Sequence, residues 1–156
     1  MSSNTATPTD FTRLFSPRGI AIIGASTDAA RPGGQTVNVL NTRGYQGGVY
    51  PVNPKYPEIM GRRCYASVED VPGDCDLAVI ALPAAQVPEA ITQCGRRGLK
   101  FATVLGGGFR EVGPEGAERE RRMIEAARAA GIRFTGPNCL GLRSEEHTSE
   151  LQSLRH

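Results

Sequence analysis

Residues 20–34 read IAIIGASTDAARPGG, an apolar run that stops at Gly24 and enters a long turn of small and polar residues. The run is rich in branched side chains and shows no alternation, the pattern of a strand buried on both faces of a parallel sheet. The turn presents backbone N–H groups and the hydroxyls of Ser26 and Thr27 to an anion lying before a helix N-terminus. The Gly-x-Gly-x-x-Gly spacing of a dinucleotide fingerprint is absent, because the next glycines after Gly24 are Gly33 and Gly34.

Working outward, the same strand pattern recurs at Gly48–Val52, Leu77–Leu82 and Phe101–Leu105, with a shorter version at Ile132–Thr135. Helical signatures lie between them. Gln35–Arg43 turns Val37 and Leu40 inward and meets a stop at Gly44. Ala84–Arg97 follows Pro83, spaces Val87, Ala90, Ile91 and Cys94 by threes and fours, and ends at Gly95 or Gly98. Pro114–Ala130 puts Met123, Ile124 and Ala127 on one side and closes at Gly131. Strands alternating with helices through short turns predict an α/β fold: one domain with a Rossmann-like, doubly wound parallel sheet of about five strands.

The 156 residues suffice for one domain with a real core. Eighteen basic and 16 acidic residues leave a formal charge of +2, too little to argue for nucleic-acid binding. No apolar run approaches the roughly 20 residues that span a bilayer, and MSSNTATPTD lacks the basic-then-apolar pattern of a secretory signal. Cys64, Cys75, Cys94 and Cys139 form no C-x-x-C pair, which argues against a zinc site or disulfide framework and makes a reducing cytoplasm the expected compartment.

In such a sheet, ligands bind beyond the carboxyl ends of the strands where strand order reverses. The turns there are the informative places. After the first strand come Gly24, Ala25 and Ser26. After the second comes PVNPK, residues 51–55, which puts Asn53 and Lys55 where a dinucleotide domain places an acid for the ribose hydroxyls. A lysine there suits a phosphorylated ribose; standing alone, it reads sooner as a solvated charge. After the third strand, Ala81-Leu82-Pro83 is an apolar turn into a helix. After the fourth, Gly106-Gly107-Gly108 exposes backbone almost free of side chains, at a cost in chain entropy that points to close approach by a ligand or another backbone. After the fifth comes another compact turn, GPNCLG, residues 136–141.

Taken together, GASTDAARPGG, VYPVNPKYPEIMGRRCYASVEDVP, DLAVIALPAAQVPEAI, GGGFREVG and GIRFTGPNCLG resemble the CoA-binding domain of NDP-forming acyl-CoA synthetases. This module is similar to the N-terminal domain of the succinyl-CoA synthetase α subunit. The resemblance covers residues 11–142 in order. It implies that coenzyme A is the cofactor, with phosphates of its nucleotide end at Gly24, Ala25 and Ser26 and a phosphate paired with Lys55 beside Asn53. It places Ala81, Leu82 and Pro83 along the cofactor, Gly106, Gly107 and Gly108 beside the pantetheine arm, and Asn138 and Cys139 near the thiol.

Related synthetases relay a phosphoryl group through a histidine of a later domain. Here His147 and His156 both fall in the last ten residues, outside any recognisable motif, and no P-loop pattern occurs. The expected roles are therefore cofactor binding without catalysis, with downstream synthetase domains and an ATP-grasp domain or subunit as partners. Cys139 lacks a histidine to act as its base and reads as a small residue in a tight turn. Residues 1–10 read as a disordered leader. Residues 143–153, RSEEHTSELQS, resemble the translation of a sequencing adapter, so 143–156 is expected to be a non-native tail. The alternatives are a stand-alone CoA- or nucleotide-sensing domain, the CoA-binding part of a protein acetyltransferase fusion, and an NAD(P)-dependent oxidoreductase domain. The missing glycine spacing and Lys55 weigh against the last.

Overall fold

The computed structural model describes residues 11–136 and a two-residue strand at 142–143. The expected leader, and the expected tail beyond its first residue, lie outside the described residues. A one-turn helix α1 (Thr12–Phe15) leads into β1 (Gly19–Ile23), α2 (Pro32–Thr42) and β2 (Gly48–Val52). An antiparallel hairpin follows, β3 (Glu58–Ile59) and β4 (Arg62–Arg63). Then come β5 (Leu77–Ile80), α3 (Val87–Arg97), β6 (Phe101–Val104), α4 (Pro114–Ala130), β7 (Arg133–Thr135) and β8 (Leu142–Arg143).

Hydrogen-bonded neighbours in the main sheet run β2-β1-β5-β6-β7-β8. The first five of these pair in parallel, as the alternation of strand and helix requires. The β8 strand adds an antiparallel edge, with Leu142 opposite Thr135 and Arg143 opposite Phe134. The chain grows outward from β1 to β2, then crosses back to β5 on the other side of β1. Strand order therefore reverses between β1 and β5.

Every residue of β1 is buried, which explains its unbroken apolar run. Its side chains alternate between two cores. Ile20 and Ile22 pack with Val37, Val49 and Ile59, whereas Ala21 and Ile23 join Ile91, Cys94 and Met123 of α3 and α4. Of the two glycines able to end α3, Gly98 does so in the left-handed conformation, φ +90°. Gly95 stays helical for another reason: a Cβ there would lie 2.6 Å from the Ala130 Cβ, so its absence lets α3 and α4 touch.

One boundary departs from the sequence expectation, while the link from β2 to β5 and a buried acid go beyond it. Helix α2 begins at Pro32 rather than Gln35, because Gly33 and Gly34 are held in its first turn by the loop beneath them. The crossover from β2 to β5 contains no α-helix; it is made by the hairpin and a 3-10 turn, Val68–Asp70, capped by the Ser67 side chain. The hairpin turns through Met60 and Gly61, both at positive φ, and Arg62 Nε donates to Asn41 Oδ1 of α2 at 2.9 Å. Within α4, Glu120 is buried and pairs with Arg110 at 3.1 Å. No described helix is long and apolar enough to cross a membrane.

Candidate functional site

At the carboxyl ends of β1 and β5 the turns converge, and backbone bonds decide what each can offer. The N–H groups of Gly24 and Ala25 both donate to the Val52 carbonyl, at 3.0 and 3.3 Å. These two amides shape the turn, while those of Ser26 and Thr27 take no partner among the described residues. Ser26 Oγ accepts the Asp28 N–H at 3.0 Å, and Asp28 Oδ1 accepts the Ala30 N–H at 2.9 Å, so the loop is braced by its own polar side chains.

The glycine spacing acquires its reason here. A Cβ on Gly33 would stand 2.1 Å from the Gly24 carbonyl oxygen, and one on Gly34 would stand 2.0 Å from that of Asp28. The start of α2 thus lies directly on the turn. Gly33 performs the close packing of helix against strand end that a dinucleotide fingerprint assigns to its third glycine, at a different spacing. The signal was present in the sequence as Pro-Gly-Gly, but its meaning required knowing that the loop folds back beneath the helix.

Asn53 joins the first and second turns. Its Nδ2 donates to the Ala25 carbonyl at 2.8 Å, its Oδ1 accepts the Lys55 N–H at 2.9 Å, and its own N–H donates to Tyr65 at 2.8 Å. This clamp sets the direction in which the chain leaves β2. Lys55 follows on the exposed rim and forms no ion pair among the described residues. Below it, the Cys64 thiol donates to the Asn53 carbonyl at 3.4 Å, and burial pushes its pKa up.

The third turn sits against the first. Ala81 N–H donates to the Ile23 carbonyl at 2.7 Å, extending the β1–β5 ladder past the strand ends. Leu82, half-buried, has its Cδ2 3.0 Å from where a Gly24 Cβ would be. The fourth turn is held by Glu111, which the sequence reading did not single out: its Oε2 accepts the N–H groups of Gly108 and Phe109. Gly106 and Gly108 take φ of +97° and +96°, and a Cβ on Gly106 would meet nothing within 4 Å. Gly108 lies against Ala84, whose Cβ would be 3.2 Å from an added one. The structure thus brings together Gly24, Ala25, Ser26, Asn53, Lys55, Ala81, Leu82, Pro83 and the three glycines along one rim; Asn138 and Cys139 lie outside the described residues.

A cleft of about 640 Å³ opens at the opposite, N-terminal, ends of the strands, bordered by Arg13, Arg18, Asp76, Arg97 and Lys100. Arg18, Asp76 and Arg97 serve the fold. Arg18 forks onto Asp76 at 2.7 and 3.0 Å, and Arg97 donates to the carbonyls of Val71 and Gly73. Arg97 also lies in the last turn of α3, where a cation offsets the helix dipole. The convergence of turns, rather than the volume of this cleft, locates the candidate site. The thiols of Cys75 and Cys94 are pushed up to about 11 and about 12 by burial, so neither is a nucleophile at neutral pH.

Comparison with known proteins is consistent with this geometry. Residues 18–145 match the family model described as CoA binding domain. The chain is 46% identical over 134 residues to an ADP-forming acetate–CoA ligase I of Archaeoglobus fulgidus, covering 86% of this chain and 19% of that protein. It is 43% identical to the α subunit of an ADP-forming acetate–CoA ligase II of Pyrococcus furiosus, covering 83% of this chain and 28% of that one. Among solved structures, the dinucleotide-forming acetyl-coenzyme A synthetase 1 of Ca. Korarchaeum cryptofilum, in complex with phosphate and ADP, superposes with a TM-score of 0.78 at 44% identity. That match covers 85% of this chain and 28% of the other. The chain therefore spans less than a third of the length of each of these relatives.

Proposed function

The chain belongs to the CoA binding domain family, and from that membership we propose that its rim of turns holds coenzyme A within an NDP-forming acyl-CoA synthetase. The observation that carries the reading is the position of Lys55. It projects from an exposed turn braced by Asn53 onto the Gly24–Ser26 loop, with no carboxylate paired to it among the described residues. A phosphate on the ribose is the ligand group that such a cation recognises.

The remaining residues fit a long, phosphorylated cofactor. In this reading the amides of Ser26 and Thr27, in the loop that leads from β1 to α2, meet the diphosphate. Gly24 and Ala25 act by keeping the turn thin and tied to Val52. Ala81, Leu82 and Pro83 supply an apolar wall, and the open side of Gly106 gives the pantetheine arm its path. Asn138 and Cys139 belong near the thiol. Bound CoA would bring a thiol nucleophile; this chain binds it, orients it and leaves the chemistry to other parts of the enzyme.

The whole enzyme would interconvert acyl-CoA, NDP and phosphate with carboxylic acid, CoA and NTP, using a phosphohistidine domain and an ATP-grasp domain or subunit. The proposed compartment is the cytoplasm, in keeping with the free, buried thiols of Cys64, Cys75 and Cys94. Calorimetric titration with CoA, dephospho-CoA and NADP tests the reading. Saturable CoA binding weakened by loss of the 3′-phosphate is expected; silence with CoA, or tighter binding of NADP, would refute it.

A further inference from the structure

The loop after β6 is built around a carboxylate of the chain's own. Glu111 Oε2 accepts the Gly108 N–H and, at 3.3 Å, the Phe109 N–H. Gly107 gives it room, since a Cβ there would stand 2.5 Å from Oε2. From the other side, Arg119 Nη1 donates to the Gly108 carbonyl at 3.0 Å. Phe109 is 1% exposed and anchors the loop in the core. Gly116 leaves space for the Phe109 carbonyl, whose oxygen would lie 1.5 Å from an added Cβ.

Three consecutive glycines have the most conformational freedom to lose when a ligand lies along them. Two of these three also adopt positive φ, so side chains cannot stiffen them. The Glu111 carboxylate removes much of that freedom beforehand by fastening two successive amides. Gly108 is then pressed on Ala84, which fixes the gap between this loop and the Ala81–Pro83 turn. Ordering of this kind, made before binding, appears as affinity.

We propose that Glu111 is a positioning residue for the pantetheine arm, its carboxylate holding the Gly106–Phe109 loop in the conformation along which the arm lies. The proposal rests on the CoA reading and deepens it by dividing the site. The turns after β1 and β2 hold the nucleotide end, and the loop that Glu111 fastens holds the arm.

The test is calorimetric titration of wild type, Glu111→Ala and Glu111→Gln with two ligands: CoA, and adenosine 3′,5′-bisphosphate, which lacks the arm. Glu111→Ala is expected to bind CoA about tenfold more weakly, the scale of one charge-assisted hydrogen bond, while binding the bisphosphate as wild type does. Glu111→Gln keeps an acceptor oxygen in place and is expected to recover most of the CoA affinity. Unchanged CoA affinity in Glu111→Ala overturns the proposal. So does equal weakening toward both ligands, which marks general damage to the fold. A wild-type protein that binds the bisphosphate but gains nothing from the arm also overturns it and leaves the nucleotide site standing; binding of neither ligand removes the cofactor reading itself.

Discussion

Gly24 and Ala81 meet across the point where strand order reverses: a Cβ on Gly24 would stand 2.2 Å from the Ala81 carbonyl oxygen. Gly24 also has φ of +86°, a conformation that L side chains rarely adopt. The first and third turns can approach only because position 24 carries no side chain. Gly24→Ala is expected to cost about 2–5 kcal/mol from strain and overpacking together. Urea unfolding measures the loss, and the variant is expected to show no CoA binding at concentrations that saturate wild type.

Lys55 is expected to contribute to affinity without contributing to the fold, because it is exposed and its backbone, not its amine, is bonded to Asn53. Lys55→Ala should leave the melting temperature unchanged and weaken CoA binding by about 1–3 kcal/mol. Dephospho-CoA should show a much smaller difference between the two proteins. An identical difference for both ligands would dissociate Lys55 from the ribose phosphate.

Asn53 should respond differently, since its side chain ties two turns. Asn53→Asp replaces the amide donor to the Ala25 carbonyl with a second acceptor while keeping the shape. Loss of that half-buried bond is expected to cost about 1–3 kcal/mol of stability. The new negative charge beside the proposed phosphate site should weaken CoA further. Thermal unfolding and calorimetry on the same preparation separate the two effects.

Asp76 offers a pH test remote from the site. The Arg18 guanidinium holds its carboxyl below the usual carboxylate range, with the Arg18 N–H adding a bond at 2.7 Å. A depressed native pKa stabilises the fold fully above the unfolded value, near about pH 4, and that contribution is lost as pH falls through the lower native value. Asp76→Asn should therefore be about 1–3 kcal/mol less stable than wild type at neutral pH. The gap should narrow in acid. A gap that stays constant down to acid unfolding would show that this pair is not the linked group.

Much of the fold was legible in the sequence: the five parallel strands, the bodies of α2, α3 and α4, and the family resemblance. These are written in short-range signals: an unbroken apolar run at residues 20–23, spacings of three and four in 87–94, and a glycine at 131 that ends a helix. Tertiary structure decided which backbone groups remain for a ligand. The amides of Gly24 and Ala25 are committed to Val52, the Asn53 amide is committed to Ala25, and the Gly107 position is filled by the Glu111 carboxylate rather than by open space. The crossover from β2 to β5 likewise forms without a helix, because Val68 and Val71 find burial in the core that α3 shares. Periodicity and turn chemistry act between neighbours along the chain, whereas a hydrogen bond between residues 28 positions apart exists only after the sheet has brought the ends of its strands together.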